Sequence, residues 1–532
     1  MRFEEKLKKK SRSKIWAEYC GFLDMSMQDY MYIQNRLMQE QIKEWSRSGL
    51  GQKLLNGQKP ESFEDLRRIL PITTYDDYAD VLLNRREDML CDIPAVWIQT
   101  TWEGGLKPIK VAPYTTAMLD TYRHNLLSAL IMATSTHEGD FDIEPYDRVL
   151  YGGAPLPYAT GLMPSLFDQD IHLTWLPDSN TNSELSFNQR IKKGFSMALS
   201  GGLDYFFGIG SVANYITESF GKSGHSGGGA NISIGNAFRY ARAKYLSKRD
   251  GRAIVPGDIF HLKAFFYAGT DARFYRERLT RAWHIKPLEL AAGTEQTCIG
   301  AEGNDDKGMI FFPDSCFYEF IPENEMRRSL RDPSYVPRTC LMNEVCAGEN
   351  YAIVISVLHG GAFMRYRIGD VYHCMLAGNG TLPRFTFVDR EPNVIDIAGF
   401  TRITKASMKE VIRLSHLKLG DWILKKEYDE KNNPFLHMYV EIPPETQEDE
   451  VTVTEVLTER LSVYFRYFDS DYGDLQKLLG IEPLSITVLK YGTIASYETS
   501  TGREIDRINP EMIDIIDLLK QQGSETERMT AI

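Results

Sequence analysis

Met364-Arg365-Tyr366-Arg367-Ile368-Gly369-Asp370 holds the residue types that the sugar of a nucleotide asks for. An ionised Asp only accepts hydrogen bonds, and the two oxygens of Asp370 can take both hydroxyls of one ribose. Gly369, just before it, lets backbone approach a ligand with no side chain in the way. The plainer reading is a turn Asp at the end of a strand, and spacing alone leaves both open. Tyr366 stands on the same stretch.

Three further segments could share such chemistry. Gln99 to Lys110 combines Thr100, Thr101, glycines, Lys107 and Lys110. Hydroxyls and backbone N–H groups can wrap a polyphosphate while a lysine supplies charge. An exposed turn with solvated lysines fits the same residues. Gly293-Thr294-Glu295 follows the apolar run Pro287 to Leu290. A Glu beside a Gly-Thr turn can hold magnesium against phosphate oxygens, or it can be an ordinary turn carboxylate. Phe387-Val388-Asp389-Arg390 comes shortly after Asp370. Arg390 could contact ribose or phosphate, and Asp389 and Gly399 could absorb backbone rotation at a hinge. A surface hairpin with a salt bridge is the alternative there.

These residues need elements to place them. Tyr30, Ile33, Leu37 and Ile42 fall near helical spacing, so roughly Ile15 to Leu55 is predicted helical. Thr74 could cap a helix that begins at Tyr75. Short apolar runs at Arg148–Gly152, Leu173–Leu176, Ala264–Ala268 and Tyr351–Val357 read as strands, with helical stretches between. This alternation predicts an α/β body. From about Thr404 the tail predicts a small α+β domain, with strands at Trp422–Tyr428, Phe435–Glu441 and Ser485–Leu489. Gly208-Ile209-Gly210 and Gly221-Lys222-Ser223 only half-match nucleotide fingerprints and read as loop glycines.

Composition sets the bounds. The chain has 532 residues, 43% hydrophobic and 25% charged, which is ordinary for a globular protein with large cores. A net charge of -12 argues against non-specific nucleic-acid binding. Seven cysteines are scattered with no Cys-x-x-Cys pair, which fits a reduced, cytoplasmic protein. No apolar stretch reaches the roughly 18 residues of a membrane span, so no membrane partner is expected. Oligomeric state is not readable.

In their order along the chain these segments resemble the adenylate-forming ligases. The resemblance is closest to the auxin-responsive Gretchen-Hagen-type acyl-acid amido synthetases and their bacterial relatives. It runs from Gln34–Leu37 and Pro71–Tyr78 through Tyr267–Asp271, Gly293–Glu295, Tyr318–Pro322 and Tyr366–Asp370 to Gly399–Arg402. The resemblance implies an α/β fold: a large multi-sheet N-terminal adenylation domain over 1–403, helical over about 1–60, and a smaller mobile α+β C-terminal domain over 404–532. It implies ATP and Mg2+ as cofactors. A small carboxylic acid would become acyl-AMP, then pass to an amine, usually of an amino acid, to form an amide. Coenzyme A is the alternative acceptor, and a degenerate, non-catalytic relative is the third reading. By position, Asp370 and Tyr366 would serve the ribose. Thr294 and Glu295, beside Gly293, would serve phosphate and magnesium. Lys110 or Lys107, with Thr100 and Thr101, would serve the β/γ-phosphates, and Arg390 would sit near hinge and nucleotide.

Two departures stand out. The family's phosphate loop opens Ser-Ser-Gly-Thr, whereas Trp102 and Glu103 replace the last two here. A carboxylate ~4 Å from a phosphate charge costs on the order of 4 kcal/mol at an effective dielectric near 20. The tail also lacks a clear catalytic lysine motif; Lys490 and Arg503 are the candidates.

Overall fold

The computed structural model describes residues 1–101, 109–178, 187–222, 234–378, 380–399, 401–445, 450–468 and 483–530. Its contacts divide the chain between Asp389 and Arg390.

The first unit is built on a 12-stranded sheet. One half is parallel, in the order Thr174–Leu176, Arg148–Gly152, Tyr205–Ile209, Ala264–Ala268, Leu288–Gly293. These strands read as unbroken apolar runs because both faces are covered, as parallel sheets require. Phe265, Phe266 and Tyr267 are all buried. The other half is antiparallel and includes Thr297–Glu302, Cys316–Pro322, Asn350–Val357, Tyr366–Gly378 and Thr381–Arg390. The two halves meet at the hairpin of Leu288–Gly293 and Thr297–Glu302, whose turn is Thr294-Glu295-Gln296. The predicted magnesium segment therefore lies at the carboxyl end of the last parallel strand, where the topology switches. Ligand sites in α/β sheets favour such a place.

The N-terminal helices brace the antiparallel half. In Met27–Trp45, Gln34 Nε2 donates to the Pro313 and Cys316 carbonyls, at 2.6 and 2.7 Å. Gln41 and Trp45 donate to the Gly361 and Ala362 carbonyls, at 3.0 and 2.8 Å. Buried side-chain amides thus satisfy loop carbonyls that would otherwise be stranded from water. Thr74 precedes only a single 3-10 turn, Tyr75–Asp77, and the α-helix starts at Ala79. Just before Thr74, the Thr73 backbone bridges to Tyr366, bonding the Arg365 carbonyl and the Arg367 N–H, so the chain is still extended there.

The Gly208–Gly210 stretch is not a loop. It spans the end of the strand Tyr205–Ile209 and the start of the helix Gly210–Lys222. A side chain at Gly208 would come within 2.9 Å of the Gly152 backbone on the neighbouring strand, so close strand packing demands glycine. Ser223 lies outside the described residues.

The second unit contains a three-stranded sheet of Trp422–Tyr428, Pro434–Glu441 and Leu484–Leu489. The helices Lys405–Ser415 and Glu450–Phe468 pack on one face through Met408, Val411, Leu457 and Leu461. Ile395, Ile397 and Ile403, from the hairpin Val394–Ile397/Thr401–Thr404, belong to the same core. The tail thus gathers its core from residues before position 404, where the sequence reading drew its boundary.

Candidate active site

Three residues far apart in sequence form a closed triangle. Lys110 Nζ lies 3.3 Å from Glu295 Oε1 and donates to the Tyr366 hydroxyl at 3.2 Å. That hydroxyl in turn donates to Glu295 Oε1 at 3.1 Å. Lys110 and Glu295 are 3% and 8% exposed, so each charge relies on the other rather than on water.

Local structure sets each corner. Lys110 is on the strand Ile109–Tyr114, which is held from the side by Tyr75. The Tyr75 hydroxyl donates to the Val111 carbonyl at 2.8 Å and accepts from the Val111 N–H at 2.5 Å. Burial, aided by the negative charge of Glu295, pushes the Tyr75 hydroxyl up to about 12. Glu295 sits in the hairpin turn, which Tyr114 fastens by donating to the Gly293 and Thr294 carbonyls at 3.1 and 2.8 Å. Burial and the same carboxylate raise Tyr114 as well. At Gly293 a Cβ would come within 2.9 Å of the end of the Gln296 side chain, which would have to move aside. Thr294 is buried, and Gln296 Oε1 is buried with no hydrogen-bond partner among the described residues.

Tyr366 starts the strand Tyr366–Gly378, and Asp370 lies inside it, not at a strand end. Ala352 pairs with Val371 and Val354 with Arg367, so the register slips between them. Three residues, Ile368 to Asp370, face one opposite residue. Gly369 takes φ +88°, with open space where a side chain would be. This is a β-bulge, a device that re-aims a side chain and recurs beside active sites. Asp370 is half-exposed there.

The neighbouring residue makes a different bond. Arg365 Nε and Nη2 clasp the two Glu319 oxygens at 3.0 and 2.9 Å. Arg365 Nη1 donates to the Leu70 carbonyl at 2.6 Å, and the Thr339 hydroxyl donates to Glu319 at 2.7 Å. Sequence reasoning named Glu319 only within the Tyr318–Pro322 segment and missed this clasp. It also gave Tyr75 and Tyr114 no role, since tyrosines in apolar runs look like packing.

The remaining predicted residues stand as follows. Thr100 ends the described part of its strand together with Thr101, of which only the backbone is described. Lys107, Trp102 and Glu103 lie outside the described residues. Arg390 is buried at the end of Thr381–Arg390. In the second unit Lys490 is exposed just after Leu484–Leu489. Its carbonyl accepts from the Thr493 N–H and hydroxyl, at 3.1 and 2.7 Å. Arg503 is held by Asp514 at 2.5 Å.

A cation-holding role suits this donor set. Magnesium binds through one or two carboxylates plus substrate phosphates rather than an all-protein cage. Glu295 in a turn beside the Thr294 hydroxyl matches that pattern. Among the described residues no group of three or more His, Cys, Asp or Glu gathers to hold a metal ion, here or elsewhere.

The fold is similar to that of solved acyl-acid and acyl-CoA ligases. AtGH3.15 acyl acid amido synthetase, solved in complex with 2,4-DB, matches with a TM-score of 0.51 at 16% identity over 96% of each chain. 2-Hydroxyisobutyryl-CoA ligase, solved with 2-HIB-AMP and CoA, matches with a TM-score of 0.56 at 14% identity, over 88% of this chain and 87% of that one. No curated protein matches the sequence. The sequence profile of the GH3 family central domain matches residues 309–390, the stretch that carries Glu319, Arg365, Tyr366 and Asp370.

Proposed function

We propose that this chain joins a small carboxylic acid to an amine by way of an acyl-adenylate. The carrying observation is the Lys110–Glu295–Tyr366 triangle, whose Tyr366 shares with the Asp370 bulge a strand of GH3 central-domain pattern. A carboxylate is a poor electrophile, and adenylation gives it a good leaving group. An oxygen of the acid attacks the α-phosphorus of ATP, the bond to pyrophosphate breaks, and acyl-AMP results. The amine, here taken to be that of an amino acid, then attacks the acyl carbon and releases AMP.

Each residue has a part in this scheme. Asp370, projected by its bulge, accepts from the ribose hydroxyls. Thr294 offers a hydroxyl to phosphate oxygens, and Glu295 holds the cation. Magnesium at Glu295 would neutralise charge on the phosphates. Tyr366 holds Glu295 Oε1 through its hydroxyl. Lys110 and Lys107 supply positive charge for the β/γ-phosphates, with Thr100 and Thr101 as hydroxyl donors. Arg390 and Lys490 are the basic residues assigned to the nucleotide and to the reacting acyl group. A cytoplasmic setting belongs to the proposal and is supported by seven free cysteines. No helix among the described residues is long and apolar enough to cross a membrane.

The test is pyrophosphate release across a panel of carboxylic acids with ATP and magnesium, followed by mass spectrometry with amino acids and coenzyme A in competition. Acid-dependent release with an amide product is expected. A thioester product would move the acceptor to coenzyme A, and tight ATP binding without release for any acid would identify a non-catalytic relative.

A further inference from the structure

Lys110 holds the same oxygen that the proposed function gives to the cation. Its ammonium is 3.3 Å from Glu295 Oε1, with the Tyr366 hydroxyl as the third member. A buried carboxylate needs a counter-charge, and here that charge is already in place before any cation arrives. We propose that Lys110 is the resident counter-ion of Glu295 and competes with the divalent cation for it, so that cation binding displaces the ammonium and frees it for the incoming polyphosphate. The inference rests on the reading of Glu295 as the cation holder.

Two features support displacement over coexistence. A magnesium ion binds oxygen at about 2.0–2.1 Å, which would put two positive charges against the ammonium on one carboxylate. Lysine is a point charge on a flexible four-carbon stem, so it can leave without breaking a planar fork of hydrogen bonds. The strand carrying Lys110 leads directly from the Gln99–Lys110 segment, so the freed charge belongs to the stretch assigned to the phosphates.

The experiment measures Mn2+ binding to the full chain by electron paramagnetic resonance of the free ion, in the absence of substrates. Lys110→Met should bind Mn2+ at least roughly ten-fold more tightly than wild type, a gain of about 1.4 kcal/mol. Lys110→Gln keeps a donor to Glu295 but removes the charge, and it carries the same expectation should the first variant fold poorly. Glu295→Gln should lose the site. Equal or weaker binding in both Lys110 variants, with the site lost in Glu295→Gln, would overturn the competition. Unchanged binding in Glu295→Gln would instead remove Glu295 as cation holder, and the competition with it.

Discussion

Arg365 and Tyr366 are adjacent in sequence, yet they serve two buried acids in opposite ways. Arg365 grips Glu319 with both ends of a planar fork, and a further guanidinium N–H and the Thr339 hydroxyl complete the network. Glu295 is met by a flexible lysine at 3.3 Å and by the Tyr366 hydroxyl. A bidentate clasp fixes backbone, and it does so where Arg365 takes φ +48°, an unusual conformation for a side-chain-bearing residue. A contact through a point charge holds its acid ready for exchange. Of these two buried ion pairs, the first is built as scaffold and the second is the one we assign to the proposed site.

Breaking the scaffold pair should give the largest effect. Arg365→Ala or Glu319→Ala leaves an uncompensated buried charge, which costs about 3–5 kcal/mol of stability. Urea unfolding against wild type checks it; a loss below that of Glu295→Gln would reverse the two roles. Glu295→Gln should lower acid-dependent pyrophosphate release by on the order of 10²–10³, the range for losing one group aimed at transition-state charge. Its stability loss should be smaller than that of Arg365→Ala. Asp370→Asn should raise KM for ATP by roughly 10–100-fold, because a hydrogen bond to a charged group contributes about 1.5–3 kcal/mol. An unchanged KM would return Asp370 to the role of a structural bulge residue.

A third buried acid sharpens the contrast by lacking a base of its own. Glu289 stands on the strand that leads to the Glu295 turn. Arg276 is 2.6 Å from Glu302 but 3.8 Å from Glu289. Burial, and then the nearby Glu302 carboxylate, push Glu289 up to about 8 from 4.5. The fold therefore keeps this proton where the unfolded chain releases it. The resulting stability is fully present below pH 4.5 and declines as pH rises through about 8. Thermal melts should show this fall, with a slope of at most about 1.4 kcal/mol per pH unit, and Glu289→Gln should flatten it.

Much of the scaffold was legible in the sequence. Apolar runs revealed the strands at Arg148–Gly152 and Ala264–Ala268 because near-continuous burial leaves a near-continuous apolar signature. The tail's start was less legible. Ile395, Ile397 and Ile403 alternate as any half-buried hairpin does, and nothing local says which core they join. Glu295, Tyr366 and Lys110 were singled out by residue type and by the segments around them. Their meeting was not readable, since 185 residues separate Lys110 from Glu295 and 71 separate Glu295 from Tyr366. The bulge at Asp370 was hidden for a related reason: a positive φ at Gly369 fits turn and bulge alike until the partner strand is known.

The central claim is that the Thr294–Glu295 turn and the Asp370 bulge form one adenylation site. Acid-dependent exchange of labelled pyrophosphate into ATP reads that half-reaction alone, before any acceptor is involved. Across a panel of carboxylic acids, the wild-type chain should exchange with at least one acid, and Glu295→Gln and Asp370→Asn should each depress that exchange. No exchange with any acid, or exchange unchanged in both variants, would contradict the account.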